Sequence, residues 1–179
     1  NRMLNGTLAV GGISGSVFGQ LELTDISLVR EQDTVCRIER VKLGYQLSPL
    51  WDGQVMVDSI IVDSAMLSLR QNSDSVWNID GLMKTDSSNL IYSAASDEPF
   101  GYEIRLGEFM LRNTAASVAA LDTSLHLSFK DIILHFSANF TDTLQQFSLS
   151  ELQIELTEPP LRLERLSFDA DRSFDVLTI

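Results

Sequence analysis

The chain has 179 residues, enough for one domain whose core needs no disulfide or metal staple. Hydrophobic residues make up 44% and charged residues 21%, a globular composition that excludes a disordered chain. With 13 basic and 25 acidic residues the net charge is −12, so nucleic acid is excluded as a partner, and only Lys42, Lys84 and Lys130 are lysines.

Taken from the N-terminus, Gly11-Gly12-Ile13-Ser14-Gly15-Ser16 is expected to form a hairpin turn. It has no Walker lysine, no G-x-G-x-x-G spacing and no nucleophile elbow, because Ser16 follows Gly15. Beyond it, one arrangement recurs: apolar-x-apolar, two residues, apolar-x-apolar. It runs as Leu21/Leu23 then Ile26/Leu28, Cys36/Ile38 then Val41/Leu43, and Val55/Val57 then Ile60/Val62. It returns as Ile104/Leu106 then Phe109/Leu111, Leu127/Phe129 then Ile132/Leu134, Phe147/Leu149 then Leu152/Ile154, and Leu161/Leu163 then Leu166/Phe168. Period-two alternation marks strands with one apolar face. Each two-residue step holds a charge: Asp25, Glu39-Arg40, Asp58, Glu108, Lys130-Asp131, Glu151 and Glu164-Arg165. A β-bulge explains the step, because one extra residue returns the apolar side chains to the same face. Repeated bulges would curl a sheet into a trough. Coincidental spacing of short strands and loops is the competing reading.

Between these strands, Ser48-Pro49-Leu50-Trp51-Asp52 is the single helical candidate, with proline in a possible first turn. Asn72-Ser73-Asp74 should separate Leu69 from a Trp77/Ile79 strand, and Pro159-Pro160 should divide the last long pair. Residues 84–100, rich in Ser, Asp and Ala, read as an exposed loop between two halves. The final Phe174-Asp175-Val176-Leu177-Thr178-Ile179 still alternates as a strand, which predicts an open sheet edge there. The expectation is an all-β fold: a curled antiparallel sheet forming an open apolar trough, with one short helix at most. Residues 1–179 are expected to form a single β domain, a fragment of a longer repeat protein.

Chemistry is sparse. His126 and His135 occupy polar slots of alternating strands and should face solvent. No metal-ligand spacing joins them, and the carboxylates are scattered singly. Cys36, the lone cysteine, sits in an apolar slot and should be a buried inert thiol, so no intrachain disulfide can form. Trp77 is a stacking candidate but reads more simply as core. No cofactor, no metal and no enzymatic activity are expected.

The segment Gly12-Ile13-Ser14-Gly15-Ser16-Val17-Phe18-Gly19-Gln20-Leu21-Glu22-Leu23-Thr24-Asp25-Ile26-Ser27-Leu28 resembles the N-terminal repeat of TamB-like and AsmA-like bacterial envelope proteins. The continuation is similar through Ile38-Glu39-Arg40-Val41-Lys42-Leu43, Leu47-Ser48-Pro49-Leu50-Trp51-Asp52-Gly53 and Val57-Asp58-Ser59-Ile60-Ile61-Val62-Asp63. Trp77-Asn78-Ile79-Asp80-Gly81-Leu82 is similar to the Trp-Asn element that follows this unit in AsmA relatives. The resemblance covers residues 6–83, whereas residues 101–179 share only the style of strand.

What the resemblance implies is a periplasmic protein held in the inner membrane by a helix that would lie before Asn1. Its open β trough would carry phospholipid acyl chains, supporting outer-membrane lipid transport and outer-membrane protein assembly, with an Omp85-class protein as a further implied partner. The apolar groove is then expected to include Leu21, Leu23, Ile26, Val57, Ile60, Leu106, Phe109, Leu127, Phe129, Leu134, Leu152, Ile154, Leu163 and Phe168. Two other readings stay open: a structural or adhesive β-sandwich whose sheets pack on each other, and, ranked last, an outer-membrane barrel fragment, which lacks aromatic girdles.

Overall fold

A computed structural model describes residues 5–31, 33–72, 74–82, 103–121, 126–141, 144–157 and 160–173. The loop expected at 84–100 and the strand expected at 174–179 lie outside these residues. Strand accounts for 81% of the described residues, far above the ~20–25% of an average domain. Eight strands form one open sheet in chain order: β1 (Thr7–Ser16), β2 (Gln20–Arg30), β3 (Asp33–Gln46), β4 (Gln54–Arg70), β5 (Glu103–Ala119), β6 (His126–Phe140), β7 (Leu144–Leu156) and β8 (Leu161–Ser173). The proline-led segment is a 3₁₀ turn at Ser48–Asp52, closed by Gly53 in the left-handed region.

Two expectations need correction. The glycine-rich segment is not a turn, since Gly11 and Gly12 lie inside β1 and the chain reverses at 17–19. Glycine is required there because a Cβ would come within 2.7 Å of Asp25 at Gly11 and 2.6 Å of Thr24 at Gly12. Trp77 and Ile79 do not form a strand: Trp77 makes one bridge to Gln71, and a turn follows. The sheet is antiparallel, as expected, at six of its seven pairings. β4 and β5 run parallel, with Gln54 beside Glu103 at one end and Arg70 beside Ala119 at the other.

The two-residue steps take two forms. Between β2 and β3 the steps at Asp25 and Glu39 lie opposite each other, so Leu23 still pairs with Val41 and Ile26 with Ile38 without a register shift. The steps at Asp58 and Gly107 also lie side by side across β4 and β5, whereas a step that meets an unbroken neighbour becomes a bulge. Asp58 is the extra residue against β3, Gly107-Glu108 oppose one residue of β6, and Glu164-Arg165 oppose one residue of β7. Asp25, Ser64, Asn113 and Asp131 have φ of 53°, 58°, 52° and 52°. The first three fall on one line across β2, β4 and β5, passing Glu39 of β3. The left-handed region costs a non-glycine residue about 1–2 kcal/mol, least for Asp and Asn. From β2 to β5 the sheet therefore carries a crease that redirects the strands at one level and keeps their apolar residues on one face.

Candidate functional site: an uncovered apolar face

Cross-strand pairing assembles the apolar residues into continuous rungs. Leu21 pairs with Leu43, which pairs with Ile60, which lies beside Phe109; Phe109 pairs with Phe136, then come Leu149 and Phe168. A second rung runs Leu23, Val41, Val62, Leu111, Leu134, Leu152 and Leu166. A third joins Val57, Leu106, Ala138, Phe147 and Ala170. Among the expected groove residues, Ile26 pairs with Ile38, Leu127 with Val118, Phe129 with Ala116 and with Leu156, and Ile154 with Leu163. All fourteen lie on these rungs or beside them. Leu163 and Phe168, on the terminal strand, are exposed, and the other twelve are half-buried.

Nothing among the described residues covers this face as a second layer would. Among the described residues, the buried hydrophobic side chains are Val35, Ala138 and Leu149. The chain exposes 12,838 Å², against roughly 8,700 Å² for a compact monomer of its mass. Leaving a leucine-sized side chain in water costs about 1.5–3 kcal/mol, so these half-buried and exposed side chains represent about 10 kcal/mol or more of burial still available to a guest. Apolar patches of this extent mark interaction surfaces. Seven strand spacings of about 4.8 Å make the face about 34 Å long. A lipid tail occupies about 15 Å, half of a ~30 Å hydrocarbon core, so a tail lying across the strands would touch three or four of them.

A ladder of phenylalanines runs the same way. Phe109 stacks on Phe136 at 4.8 Å between ring centroids, Phe136 meets Phe147 at 5.3 Å, and Phe147 meets Phe168 at 5.8 Å. Phe136 and Phe147 were not among the expected groove residues. At least one phenylalanine in each of the last four strands was the available signal, but the stacking depends on register.

At the opposite end, one rim of the face is covered. After β4 the chain turns back at 71–82 and crosses toward β1 and β2. The Asn78 side chain accepts from the Arg70 N–H (3.1 Å) and donates to the Ser68 carbonyl (2.8 Å), while its own N–H donates to the Arg70 carbonyl (2.8 Å). Arg30 donates to the carbonyls of Asn78 and Asp80, and the Asn5 N–H donates to the Leu82 carbonyl (2.8 Å). The Asp80 carboxylate accepts from the Trp77 N–H and closes the turn. Trp77 and Leu82 are half-buried in this cap, a packing role for Trp77.

The other face is polar and ionic. Glu22 bridges Arg40 and Lys42, and the Lys130 ammonium lies 2.8 Å from Glu155, raising the Lys130 pKa and lowering that of Glu155. At the parallel seam Asp63 accepts from Asn113 (2.7 Å) and Arg112 (2.9 Å); these bonds hold its carboxyl below the usual range. A cavity of about 530 Å³ opens on this face among Arg105, Asn139, Gln146, Asp169 and Asp171. Its carboxylates and amides suit water or polar ligands rather than an apolar chain. His126 is exposed, whereas His135 is half-buried, with Nε2 3.1 Å from Glu108. Cys36 is half-buried on the apolar face, opposite Leu28 and Leu67, and burial pushes its thiol pKa up. No three His, Cys, Asp or Glu side chains gather to hold a metal among the described residues, and no helix there is long and apolar enough to cross a membrane.

The sequence matches the AsmA family over residues 11–172. That span runs from β1 to the end of β8, well past the Trp-Asn element, so the second set of strands shares more than style with the family. No curated protein matches the chain.

Proposed function

The chain belongs to the AsmA family, whose members are associated with the cell envelope, and on that premise we propose that its apolar face binds the acyl chains of phospholipids. The observation that carries this reading is the uncovered face itself. Its rungs continue over eight strands, its side chains are half-exposed, and no second sheet lies over it among the described residues. A sandwich module would need such a sheet, and none of the described residues supplies it. In the full protein the face would form part of a periplasmic conduit held in the inner membrane by a preceding helix. It would serve outer-membrane lipid transport and assembly in the manner of TamB-like proteins, with an Omp85-class protein as the outer-membrane partner. The role is passive carriage, without catalysis or cofactor.

The test is direct. The 179-residue protein is purified without detergent and extracted with organic solvent, and the extract is identified by mass spectrometry. Phospholipid in stoichiometric amount is expected. A lipid-free protein that also fails to take up an apolar fluorescent dye would overturn the reading.

A further inference from the structure

The two edges of the sheet differ in how they meet water. β8 carries Arg162, Glu164, Arg165, Asp169, Asp171 and Arg172, and it is bulged at Glu164-Arg165. Charges and bulges of this kind keep an edge from pairing with another chain. β1 has neither device. Its ten residues, Thr7 to Ser16, include no charged side chain, no proline and no register shift against β2. Leu8, Val10 and Ile13 are 44%, 39% and 69% exposed, because the apolar rungs they share with Leu28, Ile26 and Leu23 stop at this edge.

We infer that β1 is a self-pairing edge, through which two copies of the chain join antiparallel about a twofold axis between Gly11 and Gly12. The sheet's own pairing rule leads to this arrangement. Strands pair without a register shift where their two-residue steps face each other, as Asp25 faces Glu39. In β1 the step is Gly11-Gly12, with Val10 and Ile13 on either side opposite Ile26 and Leu23. The step sits at the middle of the ten-residue strand. Setting step against step in a second copy therefore pairs every residue, from Thr7 with the second copy's Ser16 to Ser16 with its Thr7. On the apolar face Val10 meets the second copy's Ile13 and Leu8 meets its Gly15; on the polar face Ala9 meets its Ser14.

No pair in this arrangement sets charge against charge, which matters for a chain of net charge −12. The two glycines at the axis have no side chain to obstruct the approach. Joining two copies would extend the apolar face unbroken from eight strands to sixteen, about 72 Å at about 4.8 Å per spacing. With ten residues a side, against about 20–30 in a standard interface, the dimer is weak. Salt strengthens it by screening the overall negative charge.

Sedimentation velocity of the 179-residue protein from micromolar to millimolar concentration reads the result. A monomer–dimer equilibrium that tightens with added salt is expected. A9K/S14K sets lysine against lysine on both outer rungs and should weaken the dimer about tenfold or more. A9E/S14K sets opposite charges on those rungs and should restore it. Circular dichroism of both variants reports whether the sheet is intact. A protein that stays monomeric throughout overturns the inference. So does a dimer indifferent to A9K/S14K, which would have to form through β8 or the apolar face. Loss of the dimer in both variants, with the sheet intact, overturns the register.

Discussion

The half of the sheet built from β1–β4 and the half built from β5–β8 follow the same pairing rule but differ in lining and cover. In the first half the rungs are Leu, Ile, Val, Ala and Cys36, and one rim is closed by the 71–82 cap. In the second the rungs carry the Phe109–Phe136–Phe147–Phe168 ladder and end on β8, where every residue is exposed. β-branched side chains are stiff, and the cap ties the chain around them with backbone hydrogen bonds. Phenyl rings present broad area while turning about few bonds, which suits a surface that a guest must enter and leave. On the lipid-binding reading proposed above, β1–β4 would be the fixed half and β5–β8 the receiving half, joined by the parallel seam of β4 and β5.

The largest effect should come from charging the receiving half. Leu127→Asp, on the apolar face opposite Val118, should lower apolar-dye affinity about tenfold or more while the protein still melts cooperatively, because the new carboxylate reaches water on an uncovered face. Ser128→Asp, on the polar face, should change stability by less than about 0.5 kcal/mol and leave dye binding unchanged. A thermal melt beside dye titration distinguishes the two. If Leu127→Asp simply unfolds the protein, the face is packed against something and the receiving half is misassigned.

Removing a ring tests the ladder next. Phe136 contacts both Phe109 and Phe147, so Phe136→Ala should cost about 2–3 kcal/mol in denaturant unfolding, below the ~3–5 of a fully buried phenylalanine. Leu43→Ala, a half-buried aliphatic of the first half, should cost less, and an equal or larger loss would mean the ladder adds nothing beyond area. The cap follows in size. Asn78→Ala removes two side-chain hydrogen bonds and should cost about 1–2 kcal/mol. Hydrogen exchange should accelerate at the rim of β1–β4 while β6–β8 keep their protection. Uniform acceleration would show that the halves do not open separately.

The smallest effect concerns the seam. The Asp63 carboxyl is held low by Asn113 and Arg112, so it contributes stability that is fully present above the unfolded value of about pH 4. That contribution disappears as the pH falls through the lower folded value. The melting temperature of the parent should therefore exceed that of Asp63→Asn at neutral pH, and the gap should close in the acid range. A gap that persists at the lowest pH would assign the role of Asp63 to shape rather than charge.

How much of this was legible beforehand depends on whether a feature belongs to one strand or to two. Alternation is a property of a single extended chain, so the β class and the residues sharing the apolar face could be read from Leu21/Leu23, Ile26/Leu28 and their successors. The 3₁₀ turn at Ser48–Asp52 was equally local, marked by Pro49 and Gly53. A two-residue step looks the same along one strand whatever faces it. Only the neighbouring strand decides whether it is a matched crease, as at Asp25 and Glu39, or a bulge, as at Asp58 and Glu108. Gly11 and Gly12 read as a turn because glycine is permissive, yet the close approach of Asp25 and Thr24 from β2 is what requires glycine there. The phenylalanine ladder, the parallel seam and the bonds of Asn78 to the end of β4 all depend on cross-strand register. Register is set by the packing of distant segments, and alternation within one strand carries no record of it.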